Sequence, residues 1–116
     1  LDIPEGVEVL GLDCFAMNKS LEEVVLPSTI TTINRGAFWN SRMLKKVVIP
    51  ASVITIGEYV FFNCWQLIDV YCYAPVPLSI PPMFNKKGVI LHVPRDSEKL
   101  YRQAEHWNVA EVVGDL

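Results

Sequence analysis

Residues 49–70 read IPASVITIGEYVFFNCWQLIDV. The opening pair, Ile49-Pro50, is preceded by Leu26-Pro27 and, at the same interval again, by Ile3-Pro4. Other positions recur in step with it. Leu21, Leu44 and Leu67 form one row, and Val24, Val47 and Val70 the next. Val7, Ile30 and Val53 follow, then Leu10, Ile33 and Ile56, then Phe15, Phe38 and Phe61. A fixed period of this length marks an array of small units that stack and share one core. Apolar identity persists along every row because stacking in register turns each row into a buried ladder.

Within a unit, Val47 and Ile49 are two apart and share one face of a strand, while Lys46 and Val48 point the other way. Pro50 has no N–H for a sheet and stops the strand. The β-branched run Ser52 to Gly57 reads as a second short strand. Gly57 then supplies a turn, with Asn34 and Gly11 at the equivalent points, and Glu58 to Asn63 forms a turn or a short helix. The expected unit is therefore two short strands, with successive units stacked as parallel sheets. Outward on the first sheet, Glu23, Lys46 and Asp69 should lie side by side, as should Glu22 and Lys45. Alternating charges on neighbouring strands favour that register by about 0.2–1 kcal/mol per pair.

The composite of Ile-Pro, Val-x-x-Ile-Gly, Ala-Phe and Cys-x-x-Leu-x-x-Val resembles the BspA-like class of leucine-rich repeat. Residues 49–70 carry the match best, through Ile49-Pro50, Val53, Ile56-Gly57, Phe61, Cys64, Leu67 and Val70. Residues 26–47 carry Ala37-Phe38 but hold Asn34 for Gly and Ser41 for Cys. Residues 3–24 keep Ile3-Pro4, Val7, Leu10-Gly11, Phe15 and Leu21. The commoner repeat subtype places Asn or Cys where this chain has Thr29 or Ser52.

After Val70 the period breaks. Cys72-Tyr73 stands in place of the Pro pair, and a proline-rich stretch runs to Pro81-Pro82. Leu91-His92-Val93-Pro94 is again strand-like and Pro-stopped. From Arg95 to Trp107, the residues Leu100, Ala104 and Trp107 have helical spacing, with Asp96 or Ser97 placed to cap the start. Val109 to Val113 reads as a last strand. Pro81-Pro82, Phe84, Val93-Pro94, Tyr101 and Trp107 resemble the C-terminal cap of the same family. The resemblance implies a right-handed solenoid of short parallel strands closed by an α/β cap. Residues 1–73 would hold three repeats, the first incomplete, and residues 74–116 the cap of the same domain. A cap is needed because the last repeat otherwise exposes its core rows. No such element guards the N-terminal side, so either more repeats precede Leu1 or two chains pack there as a homodimer.

Composition narrows the function. The chain has 116 residues, 51% of them hydrophobic, which suits one domain with a real core. Its net charge is -3 with no run of either sign, so the basic stripe that nucleic acid or an anionic membrane requires is missing. No apolar stretch approaches the ~18 residues of a membrane span. Cys14, Cys64 and Cys72 are odd in number and lack a CxxC, so they read as core-lining thiols. No phosphate loop, GxSxG, HExxH or EF-hand spacing occurs, so no cofactor, metal or catalytic residue is expected. A Cys72–His92 nucleophile pair is the single catalytic arrangement the sequence offers, and the rows place Cys72 inward. Asn18-Lys19-Ser20 matches a glycosylation triplet, but Asn18 shares its row with Ser41 and Cys64, which suggests a turn role.

Two surfaces stand out. Glu23, Val25, Lys46, Val48, Asp69 and Tyr71 form the outward platform of the first sheet. Trp39 and Phe62 share a row directly after the buried Phe row, and Trp65 follows three residues beyond Phe62. Trp and Tyr anchor binding patches, and aromatic faces also stack on sugars. Alternatively, Trp39 and Phe62 close over the loops as a second core layer. The resemblance implies a non-enzymatic interaction or adhesion module of a bacterial cell-surface or secreted protein, often lipid-anchored. Its partner would be a host matrix or cell-surface protein, or a glycan. The rival expectation is a structural spacer or capping module on a larger surface protein whose ligand binds elsewhere.

Overall fold

The computed structural model describes residues 1–116. Its strands are β1 (Val9–Leu10), β2 (Glu23–Val25), β3 (Thr32–Ile33), β4 (Lys46–Ile49), β5 (Thr55–Ile56), β6 (Asp69–Cys72) and β7 (Ile90–Val93). A turn of 3-10 helix leads into α1 (Glu98–Gln103), and β8 (Glu111–Gly114) closes the chain. Each unit contributes one strand to a larger sheet and one to a smaller sheet, as its alternation and its proline stop dictate. The smaller sheet has the order β1-β3-β5 and the larger β2-β4-β6-β7-β8, with every pairing parallel. The result is a solenoid of stacked parallel strands.

The 23-residue period is the register itself. Glu23 pairs with Lys46 and Lys46 with Asp69, while Val24, Val47 and Val70 line up beneath them. The sheet begins before β2, because Asp2 bridges to Val25 and the Leu1 amino group donates to the Glu23 carbonyl at 2.9 Å. Inside, Phe15, Phe38, Phe61 and Phe84 stack ring on ring, with centroids 5.5–5.8 Å apart. The turns are bound to one another by side chains as well. Ser41 Oγ donates to the Phe15 carbonyl at 2.8 Å, and Cys64 Sγ, one unit on, donates to the Phe38 carbonyl at 3.0 Å. Asn18 begins that row with the turn role its position suggested. Its Oδ1 accepts from the amides of Ser20 and Leu21.

The sheet does not stop where the 23-residue period stops. Asp69 pairs with Ile90 and Ile90 with Glu111, each a step of 21. Phe84 keeps its place as the fourth ring of the ladder. The shortening therefore falls between Phe84 and Ile90, where the chain reaches the strand two residues sooner than it does after Phe61.

The cap works by supplying donors and covering an edge. The proline-rich stretch has no strand of its own, and its carbonyls need partners. Tyr101 Oη donates to the Ala74 carbonyl at 2.8 Å, Ser97 Oγ to Pro75 at 2.6 Å and Trp107 Nε1 to Leu78 at 2.8 Å. On the outer edge of β8, Glu98 accepts from the Gly114 amide at 2.9 Å and Arg102 donates to the Val112 carbonyl at 3.3 Å. Both side chains belong to α1, so the helix satisfies the groups an open edge would expose. Gly114 permits this approach, since a Cβ there would stand 2.9 Å from Glu98 Cβ.

Four expectations change here. The helix ends at Gln103, and Ala104 is extended, so the Leu100–Ala104–Trp107 spacing is not carried on one helical face. Leu100 is exposed, and Tyr101 and Trp107 are the fully buried residues, packed edge to face at 5.2 Å. Ser97 does not cap the helix with its hydroxyl, which is committed to Pro75. Cys14 is exposed, although its row mates Ala37 and Val60 are fully buried, because it sits on the first turn and lacks their double-sided cover.

Candidate interaction surface

Alternation sorts the larger sheet cleanly. Val24, Val47, Ile49, Val70, Cys72, Leu91, Val93 and Val112 face the core. Glu23, Val25, Lys46, Val48, Asp69 and Tyr71 face outward together, as the sequence placed them. Glu23 and Val25 are exposed at the β2 end of this face, and Lys46, Val48, Asp69 and Tyr71 are half-buried toward the centre of the sheet. The apolar rows beneath are fully buried, so the face rests on a close-packed backing.

The electrostatics differ from a simple ladder of ion pairs. Lys45 and Glu22 do pair, at 3.1 Å, but both are well exposed, and such a pair contributes about 0–1 kcal/mol. Lys46 sits in register between Glu23 and Asp69 yet forms no ion pair with either. Its Nζ lies 5.1 Å from the centre of the Tyr71 ring instead, a cation–π placement. Asp69 turns away from Lys46 toward His92, which bonds to it through Nε2 at 2.8 Å. His92 is the register partner of Tyr71 and stacks on it, with centroids 4.2 Å apart and planes 7° from parallel. Its Nδ1 lies 2.8 Å from Asp115 Oδ2.

His92, Ile90 and Asp115 thus belong to this face, and the sequence reading missed them. A signal existed. His92 precedes Val93-Pro94 as Val48 precedes Ile49-Pro50 and Val25 precedes Leu26-Pro27. Moreover, Glu23, Lys46, Asp69, His92 and Asp115 recur at the period of the repeat and alternate in charge when His92 is protonated.

The aromatic candidates lie elsewhere, on the turns that follow the smaller sheet. Trp65 is 55% exposed and Trp39 37%, so both rings reach the surface, Trp65 the more fully. Phe62 is half-buried and meets Tyr59 edge-on at 4.9 Å. These turns are backbone-constrained. Asp13, Gly36 and Tyr59 occupy one left-handed row, and Met17, Asn40 and Asn63 a second, each keeping the period of the strands.

The Cys72–His92 pair does not form. Cys72 faces the core, where its Sγ lies 3.4 Å from Tyr101 Oη, and burial pushes its thiol up. His92 faces out, with both ring nitrogens engaged by carboxylates. Cys64 is likewise buried, its thiol pushed up to about 11. No group of three or more His, Cys, Asp or Glu residues is placed to hold a metal ion.

A family model, the BspA type leucine rich repeat region (6 copies), matches residues 1–81. The chain belongs to the BspA-type leucine-rich-repeat family. BspA-type repeats are protein-interaction modules, typical of bacterial surface proteins. The match reaches into the proline-rich stretch, past the three strand pairs of the 23-residue period. No curated protein matches the chain. No helix is long and apolar enough to cross a membrane.

Proposed function

We propose that this chain is a non-enzymatic adhesion module of a bacterial cell-surface or secreted protein, binding a protein partner through the outward face of its larger sheet. One observation carries this: Glu23, Val25, Lys46, Val48, Asp69 and Tyr71 stand in fixed register on one face over a fully buried backing. A partner meeting that face finds charged, aliphatic and aromatic groups already ordered, so little side-chain entropy is lost on binding. Residues 1–73 supply most of the platform, and residues 74–116 close the stack and add His92 to its border. Trp65, with Phe62 three residues before it and Trp39 one unit earlier in the Phe62 row, offers a second surface suited to an aromatic contact or a sugar ring.

The test is binding to a panel of immobilised extracellular-matrix proteins. Lys46→Glu and Val25→Asp should each weaken binding at least ~10-fold, about 1.4 kcal/mol, with the melting temperature nearly unchanged. Wild-type binding by both variants, with loss in Trp65→Ala, would move the site to the aromatic turns. Binding that no surface variant alters would leave the chain a spacer in a larger protein.

A further inference from the structure

The outward face carries one group whose protonation is dictated by its neighbours. Both ring nitrogens of His92 lie 2.8 Å from a carboxylate oxygen, Nε2 from Asp69 and Nδ1 from Asp115. An ionised carboxylate only accepts hydrogen bonds. A neutral imidazole has one N–H and one lone pair, so it serves one of these partners and repels the other. Only the imidazolium donates to both. The ring is also held in place, stacked on Tyr71 with its side chain 13% exposed.

We propose that His92 is a pH-sensitive charge switch on the docking face, an inference that rests on that face being the docking surface. Protonated, the ring ties Asp69 on β6 and Asp115 beyond β8 to β7, and it cancels one of their two charges. Neutral, it keeps a single N–H. Asp69 is the less exposed carboxylate, 35% against 45% for Asp115, and retains that bond. Asp115 then faces a lone pair and turns to solvent. The face gains one negative charge beside Tyr71, which strengthens binding of a basic partner surface and weakens that of an acidic one.

The groups that bear on His92 are few. Asp69 comes from β6, Asp115 from beyond β8, and Lys46 from β4 acts across the Tyr71 ring. Glu111 lies on β8, two residues from Val113, the register partner of His92. Burial of the ring opposes its charge, but the hydrogen bonds and charges of Asp69 and Asp115 overcome that, so His92 titrates above its ordinary value. A raised histidine contributes fully to stability below the unfolded value of about 6.5 and loses that contribution as pH rises through its folded value.

The test is a pH titration of the intact protein by long-range proton–nitrogen NMR, which reports each ring nitrogen separately. Both nitrogens of His92 should be protonated together below a single midpoint, and that midpoint should lie above ~6.5. Asp115→Asn and Asp69→Asn should each lower the midpoint, and both variants should keep the wild-type circular dichroism. A midpoint at or below ~6.5, or one that neither variant moves, overturns the proposal. The titration needs no partner, so it is separable from docking. On the matrix-protein panel, affinity should differ between about pH 6 and about pH 8, and His92→Gln should remove the difference. A raised midpoint without any panel binding refutes docking through this face and leaves the switch standing. A pH dependence of binding that persists in His92→Gln belongs to another group and overturns the switch.

Discussion

Replacing Gly57 with Ala measures how closely the turns stack. A Cβ at that position would stand 2.5 Å from the Arg35 amide nitrogen and 2.9 Å from Arg35 Cα. Both are main-chain atoms of the preceding unit, so no side chain can swing aside. The two backbones are also fastened together there, by Gly57 N–H to the Ile33 carbonyl at 2.8 Å and Gly36 N–H to the Glu58 carbonyl at 2.9 Å. Overpacking of this kind costs about 1–3 kcal/mol. Against it stands the gain of about 0.4–1 kcal/mol from a stiffer unfolded chain, which applies because Gly57 does not hold a positive φ. The net expectation is a loss of about 1–2 kcal/mol. At this chain length it lowers the melting temperature by roughly 3–10 °C. Gly11 occupies the same row on the first turn and has nothing within 4 Å of a new Cβ. Gly11→Ala should therefore stabilise by about 0.4–1 kcal/mol. Urea denaturation of both variants, with unchanged slopes, reads these values. Shifts of the same sign at both positions would refute the stacking argument, since only the neighbouring backbone distinguishes them.

Two further outcomes follow from the ladders. Phe38 is fully buried with a ring on each side, so Phe38→Ala should cost about 3–5 kcal/mol. Phe15, half-buried with one stacked neighbour, should cost roughly half as much; equal losses in urea melts would argue against a ladder. Cys64→Ser should stay within about 1 kcal/mol of wild type, because the hydroxyl can donate to the Phe38 carbonyl as Ser41 does to Phe15, whereas Cys64→Ala removes that donor, leaves the carbonyl with the Ser41 amide alone and costs about 0.5–1.5 kcal/mol. In the same protein, a thiol reagent at neutral pH should label exposed Cys14 and leave Cys64 untouched until unfolding.

The inward half of this fold was legible because stacking constrains it twice. Val47 is squeezed between Val24 and Val70, and Phe38 between Phe15 and Phe61, so each identity is fixed from both sides. What escaped notice lacked that constraint or broke the count. Phe84 stays on the 23-residue grid, but the two residues lost before Ile90 displace β7 and β8 from it, so the sequence shows these two as strands and not as a continuation of the stack. The left-handed turn rows hold Gly36, Asp13, Asn40 and Asn63, which tolerate such a conformation, but also Tyr59 and Met17, which do not announce it. Contacts between turns impose it instead, as the Gly36 amide bonded to the Glu58 carbonyl illustrates. The cap helix misled for another reason. Leu100 has a helical spacing to Trp107 only if the helix continues, and Ala104 ends it, leaving Tyr101 to fill the core.

The outward face shows the opposite situation, and His92 makes the reason concrete. Asp69, His92 and Asp115 keep the period of the repeat, yet the strands that carry them are offset by 21. The three side chains therefore run diagonally across the sheet, each two residues farther along its strand than the last. Sequence period alone places them in a line, and strand register alone pairs His92 with Tyr71. Only the difference between the two counts brings one imidazole against two carboxylates with an aromatic ring beneath it. The shortened turn after Phe84 thus does more than begin the cap: it converts an alternating row of charges into a clamp that requires a proton.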